Sequence, residues 1–251
     1  MATNSFLFVQ TLHYLLKPIF LYFCLALGCL SCRHTSTPEP LDTDPNWIKL
    51  EIPRGIEANA IAGDLDKTLL VATKSMAYYT TDQGKTWHES KDFQGTVPSL
   101  YTHQDTVYPL LSLVEPKWPD KMASTALYFT TDYGKSWNRL PWEQVDRFKV
   151  PVGKVISTTG IMYQIQENKT FANADGSSLF LHPSTIIKRM GTTAQPINFP
   201  FKHILYNLHL DSRNRLYVAA SGGTYRQENN TFYCCEDDMP AIIYVSKKPL
   251  P

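Results

Sequence analysis

Two cassettes, Tyr78–Trp87 (YYTTDQGKTW) and Tyr128–Trp137 (YFTTDYGKSW), constrain what this chain can fold into more than any other feature. Both match the pattern Ser/Thr-x-Asp-x-Gly-x-Thr/Ser-Trp, and Asp82 and Asp132 stand 50 residues apart. A short apolar run (Ala77–Thr80, Leu127–Thr130) leads into each. An Asp carboxylate can accept hydrogen bonds from the amides of a tight turn. Gly84 and Gly134 can take the positive φ of the reversal. Trp87 and Trp137 then open the return strand with a large side chain that packs beneath the turn. The cassettes therefore predict hairpins in which Asp82 and Asp132 brace the turn and break no bonds.

The rest of the chain repeats more loosely. Strand-like runs recur at 68–73 (TLLVAT), 106–110 (TVYPL), 160–164 (GIMYQ) and 215–220 (RLYVAA), at intervals of 38, 54 and 55 residues. A four-stranded propeller blade takes about 40–50 residues. The cassettes resemble the repeat of the Asp-box (BNR) family, found in sialidases, sortilin-type receptors and photosystem assembly factors. That resemblance implies an all-β fold, a small β-propeller of about four four-stranded blades, five at most. Asn46–Ile52 reads as a strand that follows a cassette, and Ala241–Ser246 as one that precedes a cassette. The N-terminal strand 46–52 is thus expected to complete the last blade and hide its edge. Two later blades have lost the cassette: Asn173-Ala-Asp175-Gly176 is a turn signal without the Trp. Segments 114–124 and 222–240 read as polar insertions, which propellers place at the rim or on one face.

The N-terminus is of another kind. Phe6–Leu16 is mostly apolar, interrupted by Gln10, Thr11 and His13, Lys17 adds a positive charge, and Pro18–Gly28 is unbroken apolar sequence. This reads as a secretory signal, although counted from Phe6 the stretch could stay as an uncleaved anchor. Leu25-Ala26-Leu27-Gly28-Cys29 resembles a bacterial lipobox, which assigns residues 1–28 to the leader and makes Cys29 the lipidated residue. Residues 29–45 form a lipidated Cys and a Pro-rich tether, and 46–251 the folded domain. The expected location is the bacterial cell envelope, lipid-anchored in the outer membrane and facing the periplasm or the surface.

Chemistry-bearing motifs are scarce. A formal net charge of +1 over 251 residues gives no footprint for nucleic acid. The seven His are scattered (His103, His182, His203 and His209 fall in or beside strand-like runs), and no nucleophile elbow, phosphate loop or dinucleotide loop occurs. Cys234-Cys235-Glu236-Asp237-Asp238 lacks the spacing of a zinc site, so neither metal nor cofactor is expected. Cys32, Cys234 and Cys235 leave three options open: one long-range bridge, a vicinal bridge, or free thiols. A sialidase would need an arginine cluster, a Tyr/Glu pair and an Arg-Ile-Pro motif; Ile52-Pro53-Arg54 has the wrong order and arginines are dispersed.

The sequence therefore points to a non-catalytic protein-binding propeller, for example an immunity lipoprotein that captures a toxin delivered to the periplasm, or an assembly factor. The alternative is a degenerate glycan hydrolase or lyase working in the funnel, with Asp175 or Asp211 as its acid. The expected partner surface is two loop tips, Glu115–Asp120 with Trp118, and Tyr225–Asp238 with Tyr225, Phe232, Tyr233, Glu236, Asp237 and Asp238. Aromatic side chains ringed by polar ones are what interface hot spots look like.

Overall fold

The computed structural model describes residues 44–114, 121–233, 236 and 238–250. The leader, Cys29, Cys32, most of the tether, Trp118, Cys234, Cys235 and Asp237 lie outside those residues.

Four antiparallel sheets of four strands stand in a ring, a four-bladed β-propeller. Strand β1 (Trp47–Ile52) precedes blade one, which is β2 (Ala58–Gly63), β3 (Leu69–Thr73), β4 (Met76–Thr80) and β5 (His88–Asp92). Blade two holds β6 (Ser99–His103), β7 (Thr106–Val114) and β8 (Met122–Ala126). The hairpin β9 (Tyr128–Phe129)–β10 (Asn138–Arg139) follows, and β11 (Lys149–Pro151) forms the blade's outer strand. Blade three is β12 (Lys154–Ile156), β13 (Met162–Phe171), β14 (Leu179–Met190) and β15 (Thr193–Pro196). Blade four runs β16 (Leu205–Leu210), β17 (Leu216–Ala220), a side hairpin β18 (Thr224–Arg226)–β19 (Thr231–Tyr233), then β20 (Ala241–Ser246). Strand β1 returns to pair antiparallel with β20, from Trp47 opposite Ser246 to Ile52 opposite Ala241. The N-terminal strand thus closes the last blade, and the blade count is four.

The middle strands are apolar along their whole length because other blades cover both their faces. Every residue of β3 (LLVAT), β17 (LYVAA) and β20 (AIIYVS) is buried. Inner strand β2 lies against β16 on one side and β6 on the other. Apolar clusters seal three of the four seams. Ile52, Leu69 and Ile243 join blades four and one; Leu70, Val97 and Val107 join one and two; Ile186, Leu208 and Tyr244 join three and four. The cluster on blade two's far side (Leu110, Ala123, Ala126, Leu140) contains no residue of β12–β15.

The two cassettes make the same turn. Thr86 donates to Asp82 through its amide (2.9 Å) and its hydroxyl (2.6 Å), Thr80 Oγ1 donates to Asp82 at 2.8 Å, and Gly84 N donates to Thr80 Oγ1 at 3.0 Å. The Ser136, Thr130 and Gly134 bonds around Asp132 repeat this at 2.9, 2.6, 2.7 and 2.9 Å. Gly84 and Gly134 have φ of 83° and 89°, where a Cβ is strained. Each turn also presses on the preceding blade: a Cβ on Gly134 would come within 2.6 Å of Leu70 on β3, and one on Gly84 within 2.8 Å of Leu50 on β1. Ser90 on β5 donates to Gly134 O and accepts from Trp137 Nε1 (2.7 Å). Leu50 stands at the matching place on β1, and Trp87 Nε1 is buried without a partner among the described residues. Trp47 takes the Trp position in blade four and meets Phe199 edge-on at 5.1 Å.

Three expectations change. Segment 114–124 is not all loop, because Met122–Ser124 pairs with Ser112–Val114 and lengthens the hairpin; neighbouring prolines hid that pairing in the sequence. Strand Leu127–Thr130 shrinks to Tyr128–Phe129, following an irregularity within β8, where Thr125 takes φ 66°. The Asn173–Gly176 turn joins the second and third strands of blade three, not the third and fourth where the cassettes lie. The cassette's place in that blade is the tight β14–β15 turn at Gly191 (φ 58°).

Replacing Ser90 by Ala strands two partly buried polar groups, Gly134 O and Trp137 Nε1, and should lower unfolding free energy by about 1–3 kcal/mol, read from urea titration. The Thr86 and Thr80 hydrogen bonds hold the Asp82 carboxyl down to about 2, from an ordinary 3.8. A depressed carboxyl stabilises the fold above its unfolded value and loses that effect as pH falls through its folded value. Thermal stability should therefore drop between about pH 4 and pH 2, and Asp82→Asn should flatten that slope.

Candidate functional site: the face where the inner strands begin

In antiparallel blades, turns between second and third strands lie at the end where the inner strands start, and the cassette turns lie at the other. The upper face therefore collects the long second-to-third connections. Blade one spends only Lys74 and Ser75 there, but blade two extends the β7–β8 hairpin. Blade three extends β13 and β14 to 10 and 12 residues, and blade four inserts β18–β19. Large apolar side chains on these extensions stay in solvent, among them Phe171 (72% exposed), Leu113 (53%), Leu179 and Phe180.

Between blades two and three this face opens into a cleft of about 930 Å³. Its floor is the start of the inner strands: Glu57, Asn59, Pro98, Gly153 and Tyr206. One wall carries Leu113 and Lys121 from the β7–β8 hairpin; the other carries Gln164, Gln166, Ile187 and Arg189 from β13 and β14. Blade three thus turns polar side chains toward blade two, which leaves this seam unsealed. Lys121 crosses it to Glu167 at 2.6 Å, and Lys169 meets the same carboxylate at 2.6 Å. Burial would raise the Glu167 carboxyl, but its bonds and charge pairing with these two lysines outweigh that and lower it.

Beneath the floor, buried Asn207 ties three blades. Its Oδ1 accepts from Gly153 N (2.9 Å) and its Nδ2 donates to Pro98 O (2.9 Å). Burial and the neighbouring Glu57 carboxylate, which shares a hydrogen bond with the phenol, hold Tyr206 firmly in its neutral form. The backbone leading to Glu57 is strained: Ile56, a β-branched residue, has φ 62°. It is pinned by Ile56 N to Met239 O (2.9 Å) and Gly222 N to Ile56 O (2.7 Å). A Cβ on Gly222 would lie 2.0 Å from Pro240 O, so that clamp requires glycine.

The residues singled out in the sequence fall in several places. Asp82, Gly84, Trp87, Asp132, Gly134 and Trp137 lie at the lower face and do not converge on the cleft. Tyr225 and Phe232 are half-buried: their rings pack at 4.9 Å, and the Tyr225 hydroxyl bonds Asn230 (3.0 Å) and His182 (3.3 Å). They fix the β18–β19 hairpin to β14, whereas Tyr233 is exposed with Arg226 over its ring at 4.7 Å. Glu236 and Asp238 are exposed; Trp118 and Asp237 fall outside the described residues. Asp175 is spent on the Ser177 amide at the tip of β13–β14 (3.0 Å). Asp211 lies at the lower face, held by Arg215 Nε (2.7 Å) and Tyr217 (3.1 Å). Arg215 also reaches Asp64 (3.0 Å) and Asp66 (2.9 Å), a network joining blades four and one.

Sequence reasoning missed Glu57, Tyr206, Gln164, Gln166, Arg189 and Asn207. The one signal for them was Gln164 and Gln166 alternating on a strand face that propellers normally fill with apolar residues.

No known family profile matches the chain, and no curated protein does. Among solved structures it matches YCF48 bound to D1 peptide, at 16% identity and a TM-score of 0.28, over 77% of this chain and 70% of that one.

Asn207→Ala would leave the Gly153 amide and Pro98 carbonyl unpaired, and should cost about 2–4 kcal/mol in unfolding free energy, roughly twice the loss for a single orphaned group. Arg215→Met, which takes the shared cation from Asp64 and Asp211 and leaves Asp66 to Arg213, should cost about 3–5 kcal/mol, measured by the same unfolding titration.

Proposed function

We propose that the protein is a lipid-anchored, non-catalytic binding module of the bacterial envelope that takes a protein partner on its upper face. The observation that carries this is the gathering of three lengthened hairpins on one face, two of them walling one cleft, with apolar side chains left in water. Contiguous exposed apolar surface on a soluble fold marks an interaction site, and loops on a rigid scaffold are where binding residues concentrate. The carboxylates first considered for catalysis are engaged in turn and ion-pair bonds. The anchor reading rests on the leader and on Cys29, ahead of the first strand.

Two finer versions share this framework. An immunity protein would abolish its partner's toxicity at one-to-one stoichiometry, whereas an assembly factor would release its partner in active form. Photo-crosslinkers installed at Phe180 and at lower-face Lys85 of the full chain test the shared part. A discrete protein adduct is expected from Phe180 and none from Lys85, and Phe180→Asp should reduce capture from a neighbouring position. Adducts from Lys85 alone would reject the upper face. For the anchor, metabolic labelling with palmitate should tag the wild-type chain and move it to the membrane fraction. Cys29→Ser should lose both, and a labelled Cys29→Ser protein would contradict the assignment.

A second reading is favoured by the Glu57–Tyr206 pair on the cleft floor, since a carboxylate beside a phenol is the kind of pairing a glycan hydrolase or lyase could use. Turnover of a glycan panel that disappears in Glu57→Gln would establish it in place of the binding role.

A further inference from the structure

On the blade-three wall, Gln164, Gln166 and Arg189 line the cleft with no hydrogen-bond or ionic partner among the described residues. The β13–β14 register sets them on one side of the sheet, with Gln164 opposite Ile187, Gln166 opposite Thr185 and Arg189 opposite Met162. Residues i and i+2 of a strand stand about 6.5–7 Å apart. That is also the interval at which an extended chain presents successive peptide groups to one side. A primary amide offers a donor and an acceptor, so two glutamines at this spacing match the backbone of an extended segment lying along β13. Charge adds selectivity: on this wall Glu167 is matched by Lys169 at 2.6 Å, and Arg189 is uncompensated, leaving the wall net positive. The facing wall offers Leu113, more than half exposed.

Resting on the reading of the upper face as the binding face, we infer that the cleft holds an extended polypeptide segment. Gln164 and Gln166 bind its backbone, Arg189 an acidic side chain, and Leu113 the apolar side chains that alternate with the acidic ones. An extended chain turns successive side chains to opposite sides, so a segment running between Arg189 and Leu113 alternates acidic and apolar residues.

A random peptide library displayed on phage, panned against the full chain in mild detergent, tests this. Enriched peptides should alternate apolar and acidic residues. A synthetic copy of one should bind Arg189→Glu and the Gln164→Leu/Gln166→Leu double variant about tenfold or more weakly than wild type, a loss of about 1.4 kcal/mol or more. A photo-crosslinker at Leu113 should capture the same peptide, a readout that does not depend on the variants folding. Enrichment of nothing, or of peptides that bind both variants at wild-type strength and escape the Leu113 crosslinker, overturns the inference. If such peptides are nonetheless lost on Phe180→Asp, the upper face remains the binding face through its hairpin tips and only the cleft assignment falls.

Discussion

Pairing of β1 with β20 is the constraint on which the rest of the molecule depends. Six residues from the start of the domain complete a sheet whose other strands come from its end. Without that pairing, blade four would expose the long edge of β20, and the first and last blades would have no covalent reason to meet. With it, Ile52 and Ile243 enter the same cluster as Leu69 of blade one, and the ring becomes one cooperative core. The closure falls where blades one and two carry their cassette turns, so Asn46 and Lys247 lie where a turn would otherwise be. Lys247 N to Asn46 O, at 2.8 Å, bridges that gap.

Ring closure also explains why one seam can stay open. Three seams are sealed by apolar clusters, and the lower-face network of Arg215 with Asp64, Asp66 and Asp211 reinforces the junction of blades four and one. The fourth seam, between blades two and three, is joined mainly by polar links: Lys121 to Glu167 across the top, and Asn207 reaching Gly153 and Pro98 at the axis. A ring held on three sides tolerates an opening on the fourth, because neighbouring blades fix the geometry of the walls. Buried amide bonds at the axis suit this role, since a satisfied polar network positions groups more rigidly than apolar contact does.

The cassette turns work between blades as much as within them. Each glycine lacks a Cβ where the preceding blade comes close, Leu50 on β1 for Gly84 and Leu70 on β3 with Ser90 on β5 for Gly134, and each Trp packs against the same cluster. Blade two's version is complete, with Ser90 satisfying both Trp137 and the Gly134 carbonyl. Blade one's version meets Leu50, which exchanges the Trp87 hydrogen bond for apolar contact.

Local chemistry made part of this legible in the sequence. The Asp-Gly-Trp cassettes announced hairpins because their side chains bond within a few residues of themselves, and the half-blades at 46–52 and 241–246 announced closure because each had the character of a known strand and lacked its mate. Two of the long second-to-third connections, at 114–124 and 222–240, were visible as polar insertions, whereas the one at Asn173–Gly176 read as a lost cassette. The cleft was not, since its residues are polar surface residues when taken singly. Glu57 and Tyr206 are far apart in the chain, and only the ring sets them side by side. Gln164 and Gln166 acquire meaning only because blade two stands opposite and supplies no partner. Short-range hydrogen bonding and strand periodicity are written in neighbouring residues, whereas the width of a seam depends on how four sheets share one axis, and only the assembled ring decides that.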